Sequence, residues 1–258
     1  MTDLVDRTIA ALRTHHDLLG DLVPELSEEQ LAGPSGASEW TVAQVLSHLG
    51  SSAEILGKPI AAAAGLPVEA EDAPSVWARW DAATPADQAA GYLEHDARYV
   101  AVVEGLAPEQ RSSLLVDLGF LPEPVPLAVA LGMRLNEVAA HTWDVRVGLD
   151  PAAGIEPEAA ALLLELYAGP LGFLLGFAAK PDQVAHEARV SVPGGGVVVA
   201  DQVTVTTDLA DPTATFQGPV EAVARLLTGR LKPERTPEAV QVTGNVSLDD
   251  LRRVFPGY

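Results

Sequence analysis

The stretch Leu135–Asp144, LNEVAAHTWD, decides the fold of this chain. Glu137 and His141 are four residues apart and Asp144 follows three residues later, so an α-helix places all three on one face. Apolar residues border that face on both sides, and burying polar groups there without partners would cost free energy. The three side chains therefore either pair with one another and with arginine, or hold a metal ion.

A second histidine, His48, lies far upstream in a segment whose pattern also predicts a helix. Thr41 followed by Gln44 fits a capping box, so the helix is expected to begin there, with His48 at the rim of its apolar face. If the two helices pack together, His48, Glu137 and His141 converge. Two histidines and one carboxylate, with a fourth position open, are the usual ligands of a catalytic zinc ion.

Composition limits the possible partners. The chain has 258 residues, 48% of them hydrophobic, which suits one large domain or two smaller ones. Its 36 acidic residues against 16 basic ones give a formal net charge of −20, which disfavours nucleic acid and anionic membranes as partners. No transmembrane helix is predicted. The start, Met1–Arg7, is acidic and amphipathic rather than a signal peptide, so we expect a cytoplasmic protein.

The sequence contains no cysteine. It therefore has no disulfide, no thiolate ligand for a metal and no cysteine nucleophile. Any sulfur chemistry in this protein would have to come from an external thiol.

The first half of the chain predicts an up-and-down four-helix bundle. Apolar residues at helical spacing, with capping signals, indicate four long helices at residues 3–23, 41–57, 84–106 and 127–147. The connection at residues 107–126 ends with three closely spaced prolines, Pro122, Pro124 and Pro126, and is expected to be a long loop. No strand is expected between residues 84 and 147.

Three further histidines fall on the predicted helices. His16 lies four residues after Leu12 on the apolar stripe of the first helix, so we expect a hydrogen-bonded histidine near the core. His15 is expected to be solvated. His95 stands between tyrosines on the third helix, where it either reaches a central site or, as we favour, forms a hydrogen bond at the edge of the core.

The second half changes character. Residues 151–180 are predicted to form a helical linker after the bundle, which occupies residues 1–150. Beyond Pro181 the apolar period changes from 3.6 to 2, which is typical of strands. Together with two short helical patterns, this predicts a smaller α+β domain at residues 181–258.

Several motifs give the chain a resemblance to a known family. They are Gly33-Pro34-Ser35, Trp40-Thr41-Val42, His48-Leu49 and the run from Glu137 through His141 to Trp143-Asp144, followed downstream by Phe216-Gln217-Gly218, Leu226-Leu227-Thr228-Gly229-Arg230 and Val242-Thr243-Gly244-Asn245. Over nearly its whole length the chain resembles the mycothiol-dependent maleylpyruvate isomerases. Their fold is a DinB-like metal-binding four-helix bundle with a sterol-carrier-protein-like C-terminal domain.

The resemblance implies a divalent metal, most often Zn²⁺, held by His48, Glu137 and His141, and mycothiol or a similar thiol as cosubstrate. A metal stabilises the thiolate form of a thiol, and the thiolate is a nucleophile at neutral pH. We therefore expect an enzyme that uses a thiol for cis–trans isomerisation or for S-transfer to a small electrophile. A metal-dependent hydrolase with water as nucleophile, and a non-catalytic binding protein with a structural metal, remain alternatives.

Two further residues are candidates for catalytic roles. Asp144 either supports His141 as a hydrogen-bond acceptor or forms a salt bridge to Arg146 or Arg134. Arg230 follows a glycine that ends a helix and could bind a substrate carboxylate. The expected partners are thus a small thiol and a small electrophile, for which a carboxylate-bearing molecule is one candidate, and the sequence leaves the oligomeric state open.

Overall fold

The computed structural model describes residues 2–257 and divides the chain into two compact units, Met1–Ala153 and Gly154–Tyr258. The first unit contains four long helices. Its helices and strands are α1 (Thr2–Leu22), α2 (Glu28–Ala32), α3 (Val42–Ala63), α4 (Ala73–Asp81), α5 (Pro85–Glu104), α6 (Pro108–Ser113), β1 (Leu115–Val116), β2 (Val125–Pro126) and α7 (Leu127–Leu149).

The four long helices of the first unit form a closed bundle. Helix α3 packs against α5 and α7, and α1 packs against the same two helices from the other side. Helix α7 is buried around nearly its whole circumference, whereas the other long helices each keep an exposed face. The predicted four-helix bundle is confirmed, and α7 is its central helix.

The connection before α7 differs from the prediction. Strands β1 and β2 pair antiparallel, with Leu115 opposite Pro126 and Val116 opposite Val125. The expectation of no strand between residues 84 and 147 was therefore wrong. Two residues per strand are too few for an alternating pattern to be visible in the sequence.

A buried ion pair lies in the core of the bundle. Arg134 on α7 donates to Asp96 on α5 over 2.7 Å, and both residues are almost completely inaccessible to solvent. His16 lies 2.8 Å from the other carboxylate oxygen of Asp96, as expected of a hydrogen-bonded histidine near the core. Arg134 also donates to Ser52 on α3. This layer therefore joins all four long helices of the bundle.

His15 is fully buried, so the expectation that it is solvated was wrong. It lies three residues after Leu12 and four before Leu19, both buried, and α1 packs against two neighbouring helices rather than one. The buried face of α1 is therefore wider than a single stripe and includes residue 15. Neither ring nitrogen of His15 has a hydrogen-bond partner.

The second unit is a smaller α+β fold, as predicted. Its elements are α8 (Pro157–Ala168), α9 (Leu175–Ala178), β3 (Ala188–Val192), β4 (Gly195–Val199), β5 (Val203–Thr206), β6 (Ala214–Gln217), α10 (Val220–Leu227), β7 (Gln241–Gly244) and α11 (Leu248–Val254). The strands form one sheet in the order β5-β4-β3-β6-β7, antiparallel except for the pair β3–β6.

Helix α8 packs against α10 and β5 within the second unit. The segment predicted as a helical linker, residues 151–180, thus falls largely inside this unit. The predicted domain limits, 1–150, 151–180 and 181–258, stay a prediction.

Among residues 2–257 no single helix is long and apolar enough to span a membrane. Only Pro157–Ala168 taken together with Gly172–Ala178 passes that test, and the two helices are bent by 82° at the break between them.

Candidate metal centre

The start of α3 sets the position of His48. Thr41 is the N-cap, its hydroxyl accepts from the backbone N–H of Gln44, and the Gln44 side chain accepts from the N–H of Thr41. This reciprocal capping box fixes the first turn of the helix. His48 follows in the second turn, where its side chain is about one third exposed.

Helix α7 supplies the other two side chains from consecutive turns. Glu137 and His141 are separated by one helical turn, and their side chains are 25% and 9% exposed. Asn136 donates to Oε1 of Glu137 over 3.2 Å, which leaves Oε2 directed at the two histidines. No pattern in the sequence indicated this role for Asn136, although it is the immediate neighbour of Glu137.

The structure brings His48, Glu137 and His141 together. Oε2 of Glu137 lies 3.0 Å from Nε2 of His48 and 3.6 Å from Nε2 of His141, and one ligand atom from each residue lies within 4.8 Å of the others. Ligand atoms about 2.1 Å from a tetrahedral zinc ion stand roughly 3.4 Å apart. The separations of Glu137 Oε2 from the two histidines bracket that value, so the three side chains are placed suitably to hold a divalent metal ion.

Asp144 determines which nitrogen of His141 faces the site. Nδ1 of His141 lies 2.8 Å from Oδ2 of Asp144, whose side chain is fully buried. A carboxylate accepts but does not donate, so Nδ1 carries a proton and the lone pair of neutral His141 is at Nε2, toward Glu137. This is the tautomer that a metal ligand requires.

Asp144 therefore contacts His141 directly, as one of the two sequence-based alternatives expected. The other alternative named Arg146 or Arg134 as its salt-bridge partner, and for Arg146 it stays a prediction. Arg134 instead directs its guanidinium at Asp96 and Ser52.

Burial acts to raise the pKa of Glu137, but its interactions with His141 and His48 outweigh this effect. The pKa of Glu137 consequently lies well below its ordinary value. Glu137 is ionised at neutral pH and can contribute a negative charge to a bound cation.

Trp40 lies against the triad. Its ring is 5.9 Å from that of His141 and nearly parallel to it, at 23°, and 5.3 Å from that of His48. The indole nevertheless remains 40% exposed. Trp40 belonged to the family motifs, but no local pattern indicated that its side chain lies beside the two histidines.

The sequence also singled out His95 and Arg230. His95 is 3.5 Å from Glu54 and edge-on to Trp80, which matches the favoured expectation of an imidazole paired at the edge of the core. Arg230 follows α10 in the second unit, is half-buried, and donates to the carbonyl of Thr228 over 3.1 Å. Its binding of a carboxylate stays a prediction.

A four-helix bundle with two histidines and a glutamate converging from two helices defines a class of bundle proteins with a potential metal centre. Residues 12–146 match the family described as the mycothiol maleylpyruvate isomerase N-terminal domain. The chain belongs to this family of enzymes, so the resemblance noted from its motifs is confirmed.

Individual relatives agree with this assignment. Uncharacterized proteins from two strains of Mycobacterium tuberculosis are each 28% identical over 144 residues, which is 56% of this chain and 68% of theirs. A crystal structure of the mycothiol-dependent maleylpyruvate isomerase covers 98% of this chain and 97% of its own, with a TM-score of 0.60 and 17% identity. A histidine-to-alanine mutant of that isomerase gives the same TM-score at 16% identity. These likenesses support the fold.

Proposed function

We propose that this protein is a metal-dependent enzyme that uses an external low-molecular-weight thiol as nucleophile toward a small electrophile. The observation that carries the proposal is the convergence of His48, Glu137 and His141 on one point at zinc-like spacing. Membership of the mycothiol maleylpyruvate isomerase family favours a thiol over water as the nucleophile. The absence of cysteine fits this chemistry, because the chain itself offers no competing thiol.

In this proposal His48, Glu137 and His141 hold a divalent cation, with zinc favoured by the two nitrogens and one oxygen of the set. A cation there would supply the charge that stabilises a thiolate at neutral pH. Asp144 keeps the proton on Nδ1 of His141, and Glu137 stays ionised. His141 and Glu137 are thus held in their ligand forms by the protein itself.

The reaction we favour is isomerisation. The sulfur of the thiolate forms a bond to one carbon of a cis double bond conjugated to a carbonyl group, and the electron pair moves to the carbonyl oxygen. The former double bond is then single and can rotate. Return of the electron pair expels the thiolate and leaves the trans isomer, without net oxidation or consumption of thiol. In S-transfer the new carbon–sulfur bond is kept, and the proton that the thiol released returns through solvent to the carbon next to the carbonyl group.

We also propose a cytoplasmic location, where low-molecular-weight thiols are kept reduced. Arg230 remains our candidate for binding a substrate carboxylate, because guanidinium binds carboxylate in a bidentate manner that lysine cannot reproduce. Arg230→Lys should then slow turnover without loss of metal. Unchanged turnover in Arg230→Ala would remove this residue from the mechanism.

The test is an isomerisation assay on zinc-loaded protein, with maleylpyruvate as substrate, in the presence and absence of mycothiol. We expect turnover only with the thiol, loss of turnover in His141→Ala, and normal turnover in the control His186→Ala, which changes an exposed histidine of the second unit. Full isomerisation without thiol would remove the thiol from the mechanism, and thiol-independent formation of hydrolysis products would support a metal-dependent hydrolase. Metal binding without turnover of any thiol acceptor would support a non-catalytic binding protein.

A further inference from the structure

Trp40 is unusual among the four tryptophans of this protein. Trp80 and Trp143 are buried, and Trp77 is 52% exposed on α4. Only Trp40 combines partial exposure with ring contacts to two of the triad residues among the described part of the chain. A large, partly exposed apolar ring thus lies beside the polar side chains of the triad.

The backbone around Trp40 is fixed before any ligand binds. The hydroxyl of Ser35 donates to the Trp40 carbonyl over 2.7 Å, and the Trp40 N–H donates to the carbonyl of Ala37. Gly36 in turn donates to the backbone carbonyl of Asp144 over 2.7 Å, which ties the loop to α7. Because α7 also carries His141, the indole and the imidazole are held in one arrangement.

We propose that Trp40 is a specificity-determining residue whose indole packs against the flat, conjugated part of the substrate and thereby selects unsaturated carbonyl compounds over saturated ones. This inference rests on the proposed function, because it places the electrophile at the open side of the triad. With the indole centroid within 6 Å of both imidazoles, a small molecule bound there comes within van der Waals reach of the ring.

The selection follows from the electronic character of the two partners. Indole is electron-rich on its faces, and a double bond conjugated to carbonyl groups is planar and electron-poor. Stacking of such a pair is favourable beyond the area that it buries, whereas a saturated chain is puckered and lacks the π system. Aromatic contacts of this kind change affinity by about 2- to 12-fold.

The experiment compares two probes that differ only in saturation, fumarate and succinate, by calorimetric titration into zinc-loaded protein without thiol. Wild type should bind fumarate several-fold more tightly than succinate. Trp40→Ala should lower that preference by about 2- to 12-fold, and Trp40→Phe should retain part of it. The control Trp77→Ala removes a still more exposed tryptophan that lies on α4, and it should leave the preference unchanged.

The outcomes separate this inference from the proposed function. A wild-type protein that does not prefer fumarate, or a Trp40→Ala variant with the full preference, would overturn the role of Trp40. Failure of wild type to hold zinc would overturn the metal centre itself. If Trp40→Ala loses its zinc, Trp40→Phe decides the question. A purely structural role predicts that Trp40→Phe has both the zinc affinity and the full fumarate preference of wild type. A role in selection predicts that Trp40→Phe holds zinc but retains only part of the preference.

A kinetic readout completes the test. A residue that binds the conjugated group equally in the ground and transition states affects KM rather than kcat. Trp40→Phe should therefore raise KM for an unsaturated substrate at nearly constant kcat. A fall in kcat at constant KM would contradict a role in substrate selection.

Discussion

Replacing Asp96 by asparagine should destabilise the bundle strongly, because it leaves a buried guanidinium without its counter-charge. Asp96 is 2% exposed and Arg134 is not exposed at all. Burial acts to raise the pKa of Asp96, but hydrogen bonds from His16 and Arg134 hold it below its ordinary value, so the carboxylate is charged at neutral pH. Asparagine keeps the shape and removes the charge.

The size of the effect follows from this burial. Removing one partner of a buried ion pair costs about 3–5 kcal/mol, because the remaining charge stays desolvated. Removing one partner of an exposed pair costs at most about 1 kcal/mol. The pair Arg13–Glu104 is the matched control, with a donor–acceptor distance of 2.8 Å and side chains 38% and 39% exposed.

Urea unfolding followed by tryptophan fluorescence measures both effects in the bundle alone, since all four tryptophans lie in the first unit. Asp96→Asn should lower the free energy of unfolding by several times more than Glu104→Gln. Adding Arg134→Met to Asp96→Asn should recover part of the loss, because the stranded charge is then gone. Equal effects of Asp96→Asn and Glu104→Gln would refute the reasoning.

Three further predictions concern the metal centre and α1. Asp144→Ala should weaken zinc affinity by about 10- to 100-fold in a competition titration, since His141 loses its acceptor at Nδ1, and unchanged affinity would count against that role. Burial lowers the pKa of His15 to about 4, so the unfolded chain takes up a proton first as the pH falls below about 6.5. Wild-type apoprotein should therefore lose about 2 kcal/mol more stability than His15→Leu between pH 7 and pH 5, and parallel losses would contradict this. A Cβ on Gly36 would lie 2.7 Å from Oδ1 of Asp144, so Gly36→Ala should lower stability and zinc affinity, whereas Gly20→Ala, with open space around it, should do neither.

The parts of the site that the sequence predicts well are local. Glu137 and His141 share a helix face because of their spacing, and the capping box at Thr41 places the start of α3. Fold class and family membership are confirmed. We expected His48 to lie near Glu137 and His141 if the two predicted helices packed together, and the structure brings the three residues together. Their service as metal ligands stays a prediction.

Other features depend on long-range contacts that no local pattern contains. Trp40 reaches the histidines because Gly36 bonds to the backbone of α7 more than a hundred residues away. The sequence also predicted that α3 ends near Gly57, but the helix continues through Pro59 to Ala63. Burial of Ile60 stabilises that last turn despite the hydrogen bond that proline removes.

The most direct test of the metal centre is a zinc measurement on purified protein, by elemental analysis together with a competition titration. Wild type and the control His186→Ala should each hold about one zinc ion per chain, because they share an intact His, Glu and His set. His141→Ala should lose most of its zinc while the bundle remains folded. Absence of zinc from wild type, or full zinc occupancy in His141→Ala, would contradict the assignment of His48, Glu137 and His141.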